Sequence, residues 1–395
     1  MGIFSKPKNK KQLALVFDIG SSSVGGVAFY MRENEAPEII YSIREPIPFE
    51  QEVVFEKFFA STMKSLDVVV TKICMKSLGC PKKIFCVLSS PWYASQTRVI
   101  NLEKDVPFTF TTKLADSLIQ KEIDIFKRDH LSKYVDEEIT PIELKNMKVV
   151  LNGYTAMSPL NQKAKDLEMT LFISMSPEQV LSRIKESINR HFHHQDIKFS
   201  SFAMATFSVA RDMFVSQENF LLVDVGGEVT DIAMVKKDIL NDSISFPIGR
   251  NYMIRGVASA LNCGLTEAKS YISMYKDNHM EESISKKFEP IINKLKTDWL
   301  AMFQESLANL SNDISIPSTI FLTVDNDLVH FFSEIIRNEQ FNQYTLTESK
   351  FRIIFLGTEA LHGIVLFKED IIRDPFLIIE SIYANRFLNL VNIKS

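Results

Sequence analysis

Two short stretches hold the residue types and spacing that could do chemistry. Residues 13–30 read LALVFDIGSSSVGGVAFY, and residues 220–235 read FLLVDVGGEVTDIAMV. In each, an apolar run ends in acid–aliphatic–glycine, a short polar turn follows, and a strand-like run resumes. A tight turn of glycine and serine points successive backbone N–H groups into one concavity, which suits phosphate oxygens. Gly20, Gly226 and Gly227 remove the Cβ atoms that would block close approach. Ser21, Ser22, Ser23 and Thr230 add hydroxyl donors. Asp18 and Asp224, at the strand ends, could hold the water shell of a Mg2+ ion that balances phosphate charge. One such hairpin is a weak signal, because D-x-G turns are common. Their repetition about 200 residues apart points to a duplicated unit whose halves clamp a triphosphate. The rival motif GxxxxGK fails, since Gly26 stands where lysine belongs, and no GxGxxG dinucleotide signature occurs.

These turns need strands on either side to hold them. Apolar patterning predicts β-hairpins over the two quoted stretches and strands over 39–49, 84–90, 147–157, 167–175, 318–327 and 351–357. Helical spacing covers 55–78, 111–131, 177–192, 202–214, 250–263, 265–275, 284–310 and 328–338, with Gly79 and Gly264 as stops. The pattern is mixed α/β with two similar halves, and residues 84–175 read as a small α+β insertion.

Bulk properties narrow the function classes. The 395 residues are 46% hydrophobic and 24% charged, as in a globular chain of two domains. A net charge of -4 gives no support to general nucleic-acid binding. Cys74, Cys80, Cys86 and Cys263 form neither CxxC nor a zinc pattern and read as reduced thiols of a cytosolic protein. No apolar run reaches the length of a transmembrane helix. Lys6, Lys8, Lys10 and Lys11, behind Ile3 and Phe4, read either as a solvated terminus or as a weak contact with anionic lipid. His191, His193 and His194 lack an acidic partner at ligand spacing and read as a surface cluster at a helix end. Trp92 and Trp299 read as packing residues, and no residue stands out as a base for hydrolysis.

DIGSSS (18–23) resembles the first phosphate motif of the actin-like ATPase superfamily, and DVGGEVTD (224–231) resembles the second. Within it, the chain is most similar to the branch of the cell-division protein FtsA and the type IV pilus protein PilM. The insertion at 84–175, the segment 246–272 and the stretch IFLTVDNDLVHFFSEI (320–335) carry that likeness over nearly the whole chain, in order. The resemblance implies an α/β, two-lobed actin-like fold (ribonuclease H-like, duplicated), with a small α+β subdomain inserted in the first lobe. Its boundaries would be 12–83 and 176–217 for the first lobe, 84–175 for the insertion, 218–262 for the second lobe core, 263–317 for a helical subdomain and 318–395 for the return and tail. It further implies ATP between the hairpins, Mg2+ near Asp18 and Asp224, and adenosine by the turn at Asp325. There the sequence departs from the family. Val324, Asp325 and Asn326 replace a Gly-Gly, Arg250 replaces one glycine of Gly-Gly-Asn, and Lys269 and Ile272 fall on the ribose helix.

The role implied is a cytoplasmic adaptor at the inner face of the membrane, self-associating, with at most slow ATPase activity. Its partner would be the tubulin-like division protein FtsZ in an FtsA-type role, the first expectation, or a PilN-like pilus membrane protein tail in a PilM-type role. A small-molecule kinase and a nucleotide-free scaffold are the rivals. The terminal ANRFLNLVNIKS is short for the membrane helix that FtsA carries.

Overall fold

A computed structural model describes residues 11–131, 138–193, 196–277, 279–311, 315–338 and 350–386. Lys6, Lys8, Lys10, His194 and residues 387–395 lie outside these. In chain order the elements are β1 (Gln12–Ile19), β2 (Ser23–Met31), β3 (Glu38–Pro46), α1 (Phe55–Met75), β4 (Lys83–Leu88), β5 (Ala94–Thr109), α2 (Thr112–Leu131), β6 (Ile139–Leu151), β7 (Tyr154–Thr155), β8 (Lys163–Pro177), α3 (Glu178–Phe192), β9 (Ile197–Ser201) and α4 (Phe202–Met213). They continue with β10 (Phe220–Val225), β11 (Thr230–Lys236), β12 (Ile239–Phe246), α5 (Arg250–Leu261), α6 (Leu265–Lys276), α7 (Glu282–Ser311), β13 (Thr319–Val324), α8 (Val329–Asn338), β14 (Arg352–Phe355), β15 (Leu366–Phe367) and α9 (Pro375–Asn385).

The chain divides into two compact units. The first takes the described parts of Met1–Ser89, Ile184–Met213 and Phe355–Ser395; the second takes those of Ser90–Arg183 and Phe214–Ile354. The first unit is built on a six-stranded sheet in the order β15-β3-β2-β1-β4-β9. Its central strand β1 is buried from Leu13 to Ile19, as expected of an unbroken apolar run covered on both faces. β1 pairs antiparallel with β2 and parallel with β4. Helix α1 lies on β2 so closely that a Cβ at Gly26 would stand 2.5 Å from Val69 Cγ1 and 2.6 Å from Ile73 Cδ1.

The second unit repeats the plan in a five-stranded sheet, β12-β11-β10-β13-β14, with β10 antiparallel to β11 and parallel to β13. The hairpins superpose in register: Asp18 pairs with Gly25, and Asp224 with Asp231. The inserted segment forms a four-stranded sheet, β5-β8-β6-β7, with α2 and its own core of Phe110, Phe126, Leu167 and Met169. It joins β12 through Thr97 Oγ1, which donates to Leu240 O at 2.9 Å, and through Ser95 and Ser243, 3.2 Å apart.

Several boundaries differ from the sequence expectation. Residues 84–88 belong to the six-stranded sheet through parallel pairing with β1, so the insertion starts later. The end of the expected 318–395 segment returns to the first unit, where α9 packs on β1, β2 and α4. Asn262, not Gly264, closes α5 in the left-handed conformation (φ 50°), and Gly264 instead precedes α6. Helix α1 ends at Met75, before Gly79. β5, β9 and β12 had no clear alternation and went unpredicted.

Gly26→Ala tests the α1–β2 contact. We expect a destabilisation of about 1–3 kcal/mol from overpacking, read as a lower melting temperature; an unchanged value would show that α1 can move off β2 at no cost.

Candidate phosphate-binding hairpins

Each hairpin turn closes the same way. Gly20 N–H donates to Ser23 O at 3.1 Å, and Gly226 N–H donates to Val229 O at 3.0 Å. These two amides therefore serve the turn itself. Ser22 O is taken by the Ile47 amide at 2.9 Å. Ser21 is buried, while Ser22 and Ser23 are half-buried.

In the first unit Asp18 meets a cation from its own sheet. Its carboxylate lies 2.7 Å from the Arg44 guanidinium and is 3% exposed. Arg44 stands on β3 opposite Gly25 of β2, which stands opposite Asp18 of β1. The missing Cβ of Gly25 gives the guanidinium its path, since a Cβ there would come within 2.9 Å of Arg44 Nη2. Arg44 Nε and Nη2 also reach Asp374, Nη1 donates to Ser23 Oγ at 2.9 Å, and the group lies over the Phe376 ring. Asp374 caps α9 by accepting from the Leu377 amide. Glu380, fully buried on α9, lies beside Asp18, and neither of its oxygens finds a hydrogen-bond partner among the described residues. Burial, then the Asp18 charge, hold the Glu380 carboxyl well above the usual carboxylate range. Burial also raises Asp18, against the pull of Arg44.

In the second unit the Gly226–Gly227 turn is stitched to the start of α5. The amides of Arg250 and Asn251 donate to the carbonyls of Gly226 (2.9 Å) and Gly227 (2.8 Å). Gly249 sits so close that a Cβ would stand 2.5 Å from Gly226 O and 2.6 Å from Gly227 O. Thr230 is fully buried; its hydroxyl donates to Ile248 O at 2.7 Å and accepts from the Trp299 indole at 3.1 Å. Trp299 is thus more than packing, because it fixes the β11 end of the turn. Asp224 is half-buried and accepts from Thr323 Oγ1 at 2.7 Å. Glu228, beside the turn, is gripped by both Arg255 amino groups and by Asn251 Nδ2. Asp231 accepts from Ser90 and Ser245, and burial raises its pKa.

Asp325 ion-pairs with Arg250, whose other amino group lies 3.7 Å from Asp327. Val324 is buried at the end of β13, and Asn326 is exposed. Lys269 and Ile272 line a small hollow with Arg250, Met253, Leu328 and Phe331. Beside it, a cavity of about 670 Å³ opens between α6, α7 and α8. Lys296 stands in its wall over the rings of Tyr275 (6.0 Å) and Phe331 (5.0 Å).

The donors fit phosphate and metal unevenly. Gly20 and Ser21–Ser23 form one polar turn and Gly226–Gly227 another, each in its own unit. The shielded Asp18 carboxylate, already bound to Arg44, does not fit a hydrated Mg2+. Asp224 is half-buried at its strand end. Among the described residues no group of three His, Cys, Asp or Glu side chains is placed to hold a metal ion. Arg44, Asp374, Glu380 and Arg255 were missed from the sequence. A signal did exist, since Glu380 is the lone charge in the apolar run PFLIIESIYAN (375–385). His191 ends α3 with Thr71 as its 3.5 Å neighbour.

The repeated sheet plan and paired hairpins define the class: the chain has the actin-like ATPase fold, with an extra sheet inserted after β4. Among solved structures it is similar over 95% of its length, and 98% of the other chain, to a PilM-PilN type IV pilus biogenesis complex, at 14% identity and a TM-score of 0.59. It also matches the ethanolamine utilization protein EutJ from Carboxydothermus hydrogenoformans (9% identity, 97% and 91% covered, TM-score 0.41). A third match is a Bacteroides thetaiotaomicron protein of actin-like ATPase fold and unknown function (11% identity, 97% and 99% covered, TM-score 0.36). No protein-family model matches the sequence, and no curated protein matches it either.

Two substitutions probe these sites. Gly249→Ala should destabilise by about 1–3 kcal/mol, because backbone carbonyls cannot yield as side-chain tips do; a full-stability variant in urea denaturation would refute the stitched turn. Glu380 holds a proton in the folded chain that the unfolded chain loses above about pH 4.3. Stability therefore falls as pH rises from there toward neutrality. Glu380→Gln should flatten that slope and melt higher than wild type near neutral pH; parallel melting curves against pH would mean Glu380 is ionised when folded.

Proposed function

We propose that the chain is an actin-like adaptor of the PilM type, which grips the cytoplasmic tail of a PilN-like pilus membrane protein. The observation that carries this reading is the end-to-end likeness to the PilM-PilN complex. The FtsA-type role, with FtsZ as partner, has no observation of its own. No helix among the described residues is long and apolar enough to cross a membrane.

ATP fits the reading as an occupant that sets conformation, with slow turnover at most. Within the second unit the turn at Gly226–Gly227 would hold phosphate, Asp224 the water shell of Mg2+, and the Asp325 side the adenosine; the Gly20–Ser23 turn is a phosphate-binding candidate of the first unit by itself. Bound Mg2+ would supply neutralisation of phosphate charge. The side chains nearest the second turn are committed to one another, Glu228 to Arg255 and Asp325 to Arg250, which argues against a spare base for hydrolysis. The same pairing favours a second reading, a scaffold that takes no nucleotide.

Titration with a PilN-like cytoplasmic tail peptide should give saturable binding, and its absence with both peptide and full-length partner would reject the adaptor role. Fluorescent ATP separates the two readings. Adaptor-with-nucleotide predicts binding that Asp224→Ala or Gly227→Val weakens at least about tenfold, roughly 1.4 kcal/mol, while the fold persists. The scaffold predicts no binding at all.

A further inference from the structure

The first hairpin meets its need for positive charge from within. Three carboxyl groups, Asp18, Asp374 and Glu380, surround one guanidinium in the first unit. Such an anionic set ordinarily calls for a metal ion, and a hydrated divalent ion keeps most of its water shell. There is no place for that shell here. Asp18 is 3% exposed, and the guanidinium lies 2.7 Å from its oxygen. Glu380 is wholly buried beside Asp18, and neither of its oxygens finds a hydrogen-bond partner among the described residues. The guanidinium is also fixed independently of Asp18, by Asp374, by Ser23 Oγ at 2.9 Å and by the Phe376 ring 5.3 Å away. Gly25 completes the arrangement, because a side chain there would collide with Arg44 and Leu377 at 2.9 Å.

We propose that Arg44 is a built-in cation that takes the place of a divalent metal at the Asp18 hairpin, so that this hairpin is assembled without metal. The guanidinium supplies part of what an ion would: a positive charge shared by two carboxylates and a fixed bridge from β1 and β3 to α9. Unlike an ion, it cannot be removed by a chelator. The proposal concerns the first unit alone and stands whether or not the chain takes up a nucleotide.

The test uses the full chain and Mg2+ alone as probe. Melting temperatures are measured in EDTA, in millimolar MgCl2, and in KCl of matched ionic strength, for wild type, Arg44→Gln and Asp18→Asn. Wild type should show no Mg2+ response that Asp18→Asn abolishes. Arg44→Gln should melt lower and regain part of the loss in MgCl2 but not in KCl. A wild-type Mg2+ stabilisation that disappears in Asp18→Asn overturns the proposal, as does an Arg44→Gln protein indifferent to Mg2+. Should Arg44→Gln fail to fold, calorimetric titration of wild type and Asp18→Asn with MgCl2 decides. Equal uptake by the two supports the built-in cation, and uptake by wild type alone overturns it.

Discussion

One guanidinium organises the first unit. Arg44 reaches across Gly25 to Asp18, holds Ser23 in the turn, and binds the carboxylate that caps α9. Taking charges out of water costs several kcal/mol per ion unless partners compensate. Here the compensation is spread over three strands and a helix, so removing Arg44 leaves both Asp18 and Asp374 without its charge. That makes the cluster a fastening whose loss would loosen strand, turn and helix together. It also determines what the hairpin can offer a ligand: polar turn atoms, beside carboxylates that already share a cation.

The second unit reaches the same hairpin shape by other means. At its strand end the Asp224 carboxylate accepts a hydrogen bond from Thr323. Its turn is fastened by backbone, through the opening amides of α5, and allows no side chain at Gly249. One copy of the duplicated plan is therefore held by electrostatics and the other by close packing of glycines.

Much of the fold was legible because strong local patterns coincide with tertiary roles. The runs LALVF and FLLV, each ending in Asp, fix both central strands, and the glycine turns that follow fix both hairpins. The duplication followed from those two matches alone. What escaped was set by contacts distant in sequence. Nothing near Arg44 reveals that its partner is 330 residues away, and Thr230 looks like a ligand donor until Trp299 and Ile248 are seen to occupy its hydroxyl. β5 was lost because most of its residues are exposed or half-exposed, so no alternation marks it as a strand. The end of α5 was misjudged because Asn262 can adopt the left-handed conformation that glycine adopts more often.

The placement of α9 has a consequence for how the protein is born. Asn385 hydrogen-bonds to Arg32 and Glu35, and Asp374 to Arg44, closing loops of roughly the whole chain. Contacts so distant are slow to form because the loop must be closed before they stabilise anything. On the ribosome, strands β1 and β2 must wait for α9, whose Asp374 comes 330 residues after Arg44, before that helix can pack on them. Translation of this protein is thus a period of exposure in which a chaperone is useful, and a premature stop codon before α9 would strand the first-made part without its cover.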